Sequence, residues 1–205
     1  MAFTYFFRDL HTLEHAARHV VPYTAGKSSV RIWDAGCAMG PEPYSLAIVL
    51  AEKMGRFAFK NVRIDATDID GSDLFGTIIT TGIYSYDELK RIPAAIFAKY
   101  FSAVPEKEGF FRIDEGIKNR LSFRKHDLLS LKPAGDGYSL IMCKNVLLHF
   151  QPEERAEVIR MFHSCLAPGG YFATEQTQKL PDAVAPLFEQ VTADAQLFRK
   201  RAATA

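Results

Sequence analysis

The feature that most constrains the fold is a short apolar strand that runs into a glycine-containing loop and then into a dense apolar helix. Val30 to Ala35 (VRIWDA) has strand composition, the loop spans Gly36 to Gly40, and apolar residues crowd Pro43 to Ala51. Further strands are predicted at residues 63–68, 139–143 and 171–174, and a helix that begins at Gln151 and stops before Pro168 joins the last two. Strands that alternate with helices in this way pair in parallel. The sequence therefore predicts an α/β fold with a doubly wound, mostly parallel sheet.

One stretch interrupts this alternation. Residues 109–123 contain two extended runs around Asp114 to Gly116, with no helix long enough for a parallel crossover between them. We predict a small antiparallel β excursion at about residues 108–124, at the rim of one domain that takes up residues 1–205. The first 22 residues form a helix on one face of which Leu10, Leu13, Ala17 and Val20 recur.

Charge and cysteine content restrict the partners and the compartment. Lys plus Arg total 25 against 24 Asp plus Glu, a net charge of +1, so no overall field attracts nucleic acid. The three cysteines lack CxxC spacing and are too few for a disulfide framework, which favours a reducing compartment. No apolar run reaches the ~20 residues that span a bilayer. We predict a cytoplasmic protein with no nucleic-acid partner and no membrane insertion, while its oligomeric state is not indicated.

The loop after the first strand indicates a nucleoside ligand. Ala35 to Gly40 (AGCAMG) is not GxGxxG, because Ala38 occupies the middle glycine position, and it lacks the ending of a P-loop, so a diphosphate is disfavoured. Asp68 ends the second strand, where an acid accepts hydrogen bonds from ribose hydroxyls. A nucleoside without a diphosphate suggests S-adenosylmethionine. On these residues alone an alternative stays open, in which Gly36 and Gly40 only make a tight turn and Asp68 caps the next helix.

A literal metal motif competes with this interpretation. His11-Thr-Leu-Glu14-His15 has the HxxEH spacing of one class of zinc proteases, and His19 extends the series. These histidines lie off the apolar stripe of their helix, so a solvent-exposed polar face explains them without a metal. Because five residues match easily by accident, we predict no metal site.

The string from Arg31 to Ile48 (RIWDAGCAMGPEPYSLAI) resembles the signature of the chemotaxis-receptor glutamate methyltransferases, the CheR family. Seven further segments agree with that family in order: TYFFRD at 4–9, ATDID at 66–70, GIY at 82–84, FRKHDL at 123–128, CKNVLLHF at 143–150, LAPGGY at 166–171 and LFRK at 197–200. The resemblance implies a Rossmann-like class I methyltransferase that uses S-adenosylmethionine and leaves S-adenosylhomocysteine. It also implies O-methylation of glutamate carboxylates on a protein substrate, a chemoreceptor-like or other signalling protein.

The resemblance also implies site residues. The cofactor contacts carry over onto Thr4, Arg8, Ala35, Gly36, Glu42, Asp68, Asp127, Leu128, Lys144 and Asn145. Arg8 and His149 are the implied catalytic residues: Arg8 orients the cofactor or the acceptor carboxylate, and His149 faces the substrate. The alternative for His149 is an ordinary histidine at the start of a helix. The excursion at 108–124 matches the small β-subdomain that docks a receptor's C-terminal peptide in some family members.

The chain departs from the family pattern at several points. TYFFRD begins at residue 4, so we expect the chain to lack the family's helical N-terminal domain, which is implicated in receptor binding. Unusual residues for the family are Pro41 for an acid, Lys144 for Arg, His149 for Tyr, Asp127 for Asn and Gln176-Thr177-Gln178 for His-Ser-Glu. Two alternatives therefore stay open: a methyltransferase for another acceptor, such as a small molecule, and a regulatory module that binds S-adenosylmethionine without turnover.

Overall fold

Seven strands form the main sheet of a computed structural model that describes residues 4–177 and 179–202. Their order is β6-β2-β1-β7-β8-β10-β9. The bounds are β1 Val30–Ala35, β2 Val62–Asp68, β6 Leu121–Lys125, β7 Tyr138–Cys143, β8 Leu166–Thr174, β9 Phe188–Gln190 and β10 Leu197–Lys200. Strands β6, β2, β1, β7 and β8 are parallel, whereas β10 and β9 are antiparallel to their neighbours. The predicted doubly wound, mostly parallel sheet is confirmed.

Helices cover both faces of this sheet. Their bounds are α1 Leu10–Tyr23, α2 Pro41–Phe59, α3 Phe75–Thr81, α4 Tyr86–Leu89, α5 Ala94–Tyr100, α6 Glu115–Lys118 and α7 Pro152–Cys165. Alternate residues of β1 point to opposite faces, so Ile32 joins the core under α1 and α2, whereas Trp33 joins the core under α7. The Trp33 ring meets Phe162 of α7 edge to face at a centroid distance of 5.1 Å. Helices therefore cover both faces of the sheet, which explains why every residue of β7 (YSLIMC) is buried and its sequence from Leu140 to Cys143 is continuously apolar.

The strand order reverses beside β1. The chain passes from β1 to β2 and β6 on one side and then returns to β7 on the other side of β1. Loops that follow the carboxyl ends of β1 and β7 must separate at this point, because they lead to helices on opposite faces. Open α/β sheets bind ligands in the crevice that results.

The antiparallel excursion differs from its predicted extent. A three-stranded sheet has the order β3-β5-β4, with β3 at Ile83–Ser85, β4 at Phe101–Ala103 and β5 at Phe110–Ile113. The second predicted run, at 121–125, is instead β6, which pairs in parallel with β2 at the edge of the main sheet. The short helix α6 separates β5 from β6, so the two runs do not form a hairpin. The small sheet therefore draws on residues 83–113 and not on residues 108–124 alone.

The histidines of α1 also differ from their predicted exposure. His11 is exposed, but His15 is 6% exposed and its Nδ1 has no hydrogen-bond partner in the described part of the chain. The reason is that α1 packs against β8 and β10 as well as against α2, so its buried face is wider than the apolar stripe. Within residues 4–177 and 179–202, no three histidine, cysteine or acidic side chains are grouped closely enough to hold a metal ion.

Three free cysteines, Cys37, Cys143 and Cys165, are all buried. None of the helices described is both long and apolar enough to cross a membrane. Gln178, the last residue of the Gln-Thr-Gln departure from the family pattern, lies outside the described residues.

Candidate functional site

The loop after β1 is held by backbone hydrogen bonds to the neighbouring strand. The amides of Gly36 and Cys37 donate to the carbonyl oxygen of Thr67 in β2 at 2.7 and 3.0 Å. Gly36, Ala38 and Gly40 have positive φ angles of 91°, 47° and 98°, so the chain reverses within five residues. Pro41 then occupies the first turn of α2, where its missing N–H is not needed. The unusual proline therefore suits the helix start on which it lies.

Asp68 holds this loop from the end of β2. One carboxylate oxygen accepts a hydrogen bond from the amide of Ala38 at 2.9 Å, and the other accepts one from the amide of Asp70 at 3.1 Å. A carboxylate has about four acceptor positions, so both oxygens can accept further hydrogen bonds. Asp70, and not Asp68, caps α3, because its carboxylate accepts from the amides of Leu74, Phe75 and Gly76. The alternative in which Asp68 serves only as a helix cap therefore does not hold.

Lys144 is a buried cation at the end of β7. Its side chain is 0% exposed, and its ammonium lies 3.0 Å from Glu42 of α2 and 3.4 Å from Asp9. It also donates to the carbonyl oxygen of Arg8 at 3.4 Å. Burial by itself lowers the pKa of Lys144, but Glu42 and Asp9 together raise it above the ordinary value. Lys144 is therefore charged, and it joins α1, α2 and β7 at one point.

Two more buried acids surround this point, and the sequence analysis did not single out either. Asp34 of β1 is 0% exposed, and Glu175, which follows β8, is 3% exposed. Glu175 accepts hydrogen bonds from the hydroxyl of Thr174 at 2.7 Å and from the amide of Asn145 at 3.0 Å. Burial raises the pKa of Glu42 above its ordinary value, and Lys144 offsets part of that effect. The sequence signal for Asp34 was an acid between two apolar residues, Trp33 and Ala35, near the end of a strand.

Glu42, Asp68 and Lys144 line a cleft of about 490 Å³ at the carboxyl ends of β1, β2 and β7, whereas Asp34 and Glu175 are not part of its lining. We call it the cofactor cleft. It is lined by Thr4, Arg8, Gly36, Cys37, Ala38, Glu42, Asp68, Lys144, Asn145, Val146, Leu148 and His149. Eight of the predicted site residues are therefore brought together here, from four separate segments of the chain.

Three predicted cofactor contacts lie outside this lining. Ala35 is buried at the end of β1, and Leu128 is buried in a single 3-10 turn at Leu128–Ser130. Asp127 caps that turn, because its carboxylate accepts a hydrogen bond from the amide of Leu129 at 2.9 Å. The segment still borders the site, since the amide of His126 donates to the carbonyl oxygen of Asp68 at 2.8 Å.

His149 lies at the mouth of the cofactor cleft. It ends a 3-10 turn at Leu147–His149, and it is exposed to solvent. Asn145 precedes this turn with a φ of 58°, and the hydrogen bond that its backbone N–H donates to the Glu175 carboxylate holds it in that left-handed conformation. The turn begins two residues after Asn145, and it places His149 in the lining of the cleft.

We expect Gly36→Ala to damage the cofactor cleft. A Cβ atom on Gly36 would overlap Cγ2 of Val146, in addition to the cost of a φ of 91°. The overlap should cost about 1–3 kcal/mol beyond the backbone strain. Thermal unfolding and titration with S-adenosylhomocysteine would measure the loss of stability and of binding.

Gly26→Ala is the matched control, because Gly26 has a φ of 78° and nothing lies within 4 Å of its added Cβ. It carries the backbone strain alone, of about 1–2 kcal/mol. The double variant with Val146→Ala should recover part of the loss in Gly36→Ala. Equal losses in Gly36→Ala and Gly26→Ala would contradict the close approach of Val146.

The fold and the cleft together define a class of protein. A parallel sheet with a glycine turn after β1, an acid that ends β2 and a crevice at the switch point is the arrangement of Rossmann-like α/β proteins that bind nucleosides. Glu42 and Asp68 line the cleft together with Lys144 and Arg8, and two further acids, Asp34 and Glu175, are buried next to these residues.

The sequence matches the family described as CheR methyltransferase, SAM binding domain, over residues 2–197. The chain belongs to this family. It is 32% identical to a chemotaxis protein methyltransferase of Pseudomonas aeruginosa over 87% of this chain and 68% of that protein. It is 33% identical to the chemotaxis protein methyltransferase of Borreliella burgdorferi over 82% of this chain and 61% of that protein. It is 29% identical to a probable chemotaxis protein methyltransferase of Rhizobium etli over 92% of this chain and 72% of that protein.

The chain therefore spans between 61% and 72% of the length of these three relatives. A solved structure of magnesium protoporphyrin IX methyltransferase from Synechocystis with bound S-adenosylmethionine superimposes with a TM-score of 0.48, at 16% identity, over 94% of this chain and 81% of that one. The family membership identifies the chain as an S-adenosylmethionine-dependent methyltransferase, as the resemblance in the sequence implied.

Proposed function

We propose that this protein methylates glutamate carboxylates on a protein substrate, and that the substrate is a chemoreceptor-like or other signalling protein. The names of the relatives support the proposal, because each is a chemotaxis protein methyltransferase. We further propose that Arg8 and His149 act on the acceptor side of the cofactor cleft, and that the remaining predicted residues bind the cofactor.

The observation that carries the proposal is the charge of the cleft lining. Among the lining residues, Glu42 pairs with the buried Lys144 and Asp68 ends β2, whereas Arg8 is half-buried and His149 is exposed to solvent. An acceptor carboxylate is an anion, and the Arg8 guanidinium attracts and orients it, while an imidazole N–H of His149 can donate a hydrogen bond to it. A neutral acceptor has no use for two such groups.

Methyl transfer to a carboxylate requires little acid or base catalysis. When bound, S-adenosylmethionine supplies a methyl group on a positively charged sulfur, which is already activated. A glutamate side chain is already ionised near neutral pH. What the protein must supply is alignment of the two reactants, which is worth roughly 7–11 kcal/mol at its upper limit. This explains why the cleft is rich in binding groups, although none of its lining residues form a hydrogen-bonded pair of catalytic nucleophile and general base.

The individual residues have distinct roles in the proposal. Asp68 holds the ribose, and its bonds to Ala38 and Asp70 orient its carboxylate for that task. Glu42 and Lys144 hold the charged amino-acid portion of the cofactor, and the loop at Gly36 lets the cofactor approach the backbone. Arg8 orients the acceptor carboxylate, and His149 contacts the acceptor or the chain that carries it.

Incubation with methyl-labelled S-adenosylmethionine tests the acceptor. The probe is the cytoplasmic fragment of a methyl-accepting chemotaxis receptor, with a matched fragment in which the acceptor glutamates are replaced by glutamine. We expect base-labile label on the first fragment and none on the second. His149→Ala should lower the rate about tenfold, the value of one lost charge-assisted hydrogen bond, while S-adenosylhomocysteine binds as before. His149→Tyr should restore the rate, because it introduces the residue usual in the family.

Three results would contradict the proposal. Label that appears in extracted small molecules and not on protein would assign a different acceptor. Tight binding of S-adenosylhomocysteine with no methyl transfer to protein or to small molecules would indicate a regulatory module. Equal labelling of the glutamate and glutamine fragments would exclude carboxylate methylation of this substrate.

The proposed location is the cytoplasm. Support comes from the three free, buried cysteines, since thiols of this kind persist in a reducing compartment. A cytoplasmic substrate domain is consistent with this location.

A further inference from the structure

Tyr84 is a buried residue of the small sheet that the proposed function does not use. It belongs to β3 and to the segment GIY at 82–84, one of the segments that agree with the family. The residue is 1% exposed, and its hydroxyl donates a hydrogen bond to the carbonyl oxygen of Met39 at 2.8 Å. Met39 lies in the loop after β1, 45 positions earlier in the chain. A side chain of the small sheet is therefore bonded directly to the loop that borders the cofactor cleft.

The loop after β1 is held from two sides. Its first part, residues 36–38, is fixed by backbone amides that donate hydrogen bonds to the end of β2. The second part is fixed by the hydroxyl of Tyr84, which supplies a donor for the carbonyl group of Met39. Gly36, Cys37 and Ala38 line the cleft, and Met39 follows them directly. A shift of the Met39 carbonyl would therefore move the residues that face a bound cofactor.

The approach of Tyr84 to this loop is close enough to require the glycine that ends it. A Cβ atom on Gly40 would lie 2.7 Å from the hydroxyl oxygen of Tyr84 and 2.7 Å from Cγ1 of Ile79. Gly40 also has a φ of 98°, which residues with a Cβ atom rarely adopt. Two separate features thus select glycine at this position, and one of them is the tyrosine of the small sheet.

The ring of Tyr84 reaches a second wall of the cleft. It meets the ring of Phe6 edge to face at a centroid distance of 4.9 Å, an arrangement that aromatic pairs favour. Phe6 is 1% exposed and belongs to the N-terminal segment that supplies Thr4 and Arg8 to the cleft lining. One side chain therefore contacts both the loop after β1, through its hydroxyl, and the segment that carries Arg8, through its ring.

We propose that Tyr84 is a positioning residue for the cofactor: through the carbonyl group of Met39, its hydroxyl holds the loop after β1 in the conformation that receives S-adenosylmethionine. A loop that is ordered before the ligand arrives binds more tightly, because less conformational entropy is lost on binding. The small sheet thereby contributes to cofactor binding without lining the cleft. The inference rests on the proposed placement of the cofactor in this cleft, and it holds for any acceptor.

Tyr84→Phe tests the hydroxyl, because phenylalanine keeps the ring against Phe6. Titration calorimetry should show that S-adenosylhomocysteine binds about tenfold more weakly, as expected when a carbonyl group loses its hydrogen-bond donor. Hydrogen exchange of the cofactor-free protein gives a second readout. The amides of residues 36–40 should exchange faster in the variant than in the wild type, because the loop opens more often.

Tyr44→Phe is the matched control. Tyr44 is 0% exposed, and its hydroxyl donates to the carbonyl oxygen of Ile79 in α3 at 2.6 Å, so the same kind of bond is lost away from the loop. Both variants should lower the melting temperature by a similar amount, about 2–4 °C for one hydrogen bond in a chain of this size. Tyr44→Phe should nevertheless bind S-adenosylhomocysteine like the wild type.

Two results would overturn the assignment of Tyr84. Equal losses of affinity in Tyr84→Phe and Tyr44→Phe would mean that Tyr84 contributes only to general stability. Unchanged affinity in Tyr84→Phe would mean that the loop does not need its hydroxyl. Asp68→Ala distinguishes this failure from a wrong placement of the cofactor: if Asp68→Ala weakens binding and Tyr84→Phe does not, the role of Tyr84 alone is refuted, whereas unchanged binding in both refutes the placement as well.

Discussion

Lys144→Met is expected to destabilise the protein by about 3–5 kcal/mol, the usual cost of removing one partner from a buried ion pair. Methionine fills the volume of the lysine stem but leaves Glu42 buried without its cation, and the 3.0 Å contact is lost. The contact with Asp9 at 3.4 Å and the bond to the carbonyl oxygen of Arg8 are lost too. Urea unfolding in the absence of cofactor would measure the change in the free energy of unfolding.

Two further variants separate charge from position. Lys144→Arg keeps the charge and should retain most of the stability, although it alters the geometry of a compact ammonium group. Lys144→Met with Glu42→Gln removes both charges of the buried pair and should recover a large part of the loss, because the Asp9 carboxylate that remains is 42% exposed to solvent.

Lys99→Met is the matched surface control. Lys99 lies 2.6 Å from Glu52, but its side chain is 56% exposed. Exposed pairs contribute about 0–1 kcal/mol, so the control should stay close to the wild type. If Lys144→Met costs no more than Lys99→Met, the buried pair is not what joins α1, α2 and β7.

Asp68→Ala is expected to weaken the binding of S-adenosylhomocysteine at least 100-fold. Two charge-assisted hydrogen bonds to a ribose are worth about 1.5–3 kcal/mol each. The substitution also removes the acceptor for the amide of Ala38, so the loop after β1 loses its anchor on β2. Titration calorimetry with S-adenosylhomocysteine measures binding without turnover.

Asp73→Ala is the control for this prediction, because Asp73 is an exposed acid in the loop that follows β2 and pairs only with Lys125 among the described residues. Its removal should change the affinity less than about threefold, as expected for a surface ion pair. Asp68→Asn keeps the shape of the side chain, and its affinity for S-adenosylhomocysteine should lie between those of Asp68→Ala and Asp73→Ala. Unchanged binding by Asp68→Ala would refute the placement of the nucleoside at the end of β2.

Much of the fold was predictable because its signals are local. The apolar run of β1, the turn at Gly36 to Gly40 and the proline and acids that begin α7 are each encoded within about ten residues of sequence. The extent of the small sheet was not predictable in the same way. Strand β5 pairs with β3 and β4, and neither of these three-residue strands has a distinctive pattern.

The site shows the same division. The glycine loop at Gly36 and the acid Asp68 are recognisable from the sequence. Each lies at the carboxyl end of a strand, and these ends lie at the same edge of a parallel sheet. The burial of His15 was predicted wrongly, because the width of a helix's buried face depends on what packs against it, and α1 packs against β8 and β10.

The sequence by itself determined the alternation of strands and helices, the position of the switch point and the family, since these follow from periodicity and from ordered motifs. Only the tertiary structure decided how the charges are shared. Lys144 meets Glu42 across 102 positions of the chain, and the pair takes up the buried cation while Asp34 stays unpartnered. Which acid receives the cation depends on distances of a few ångströms between β1, α2 and β7, because Coulomb energies in a buried site change steeply over that range.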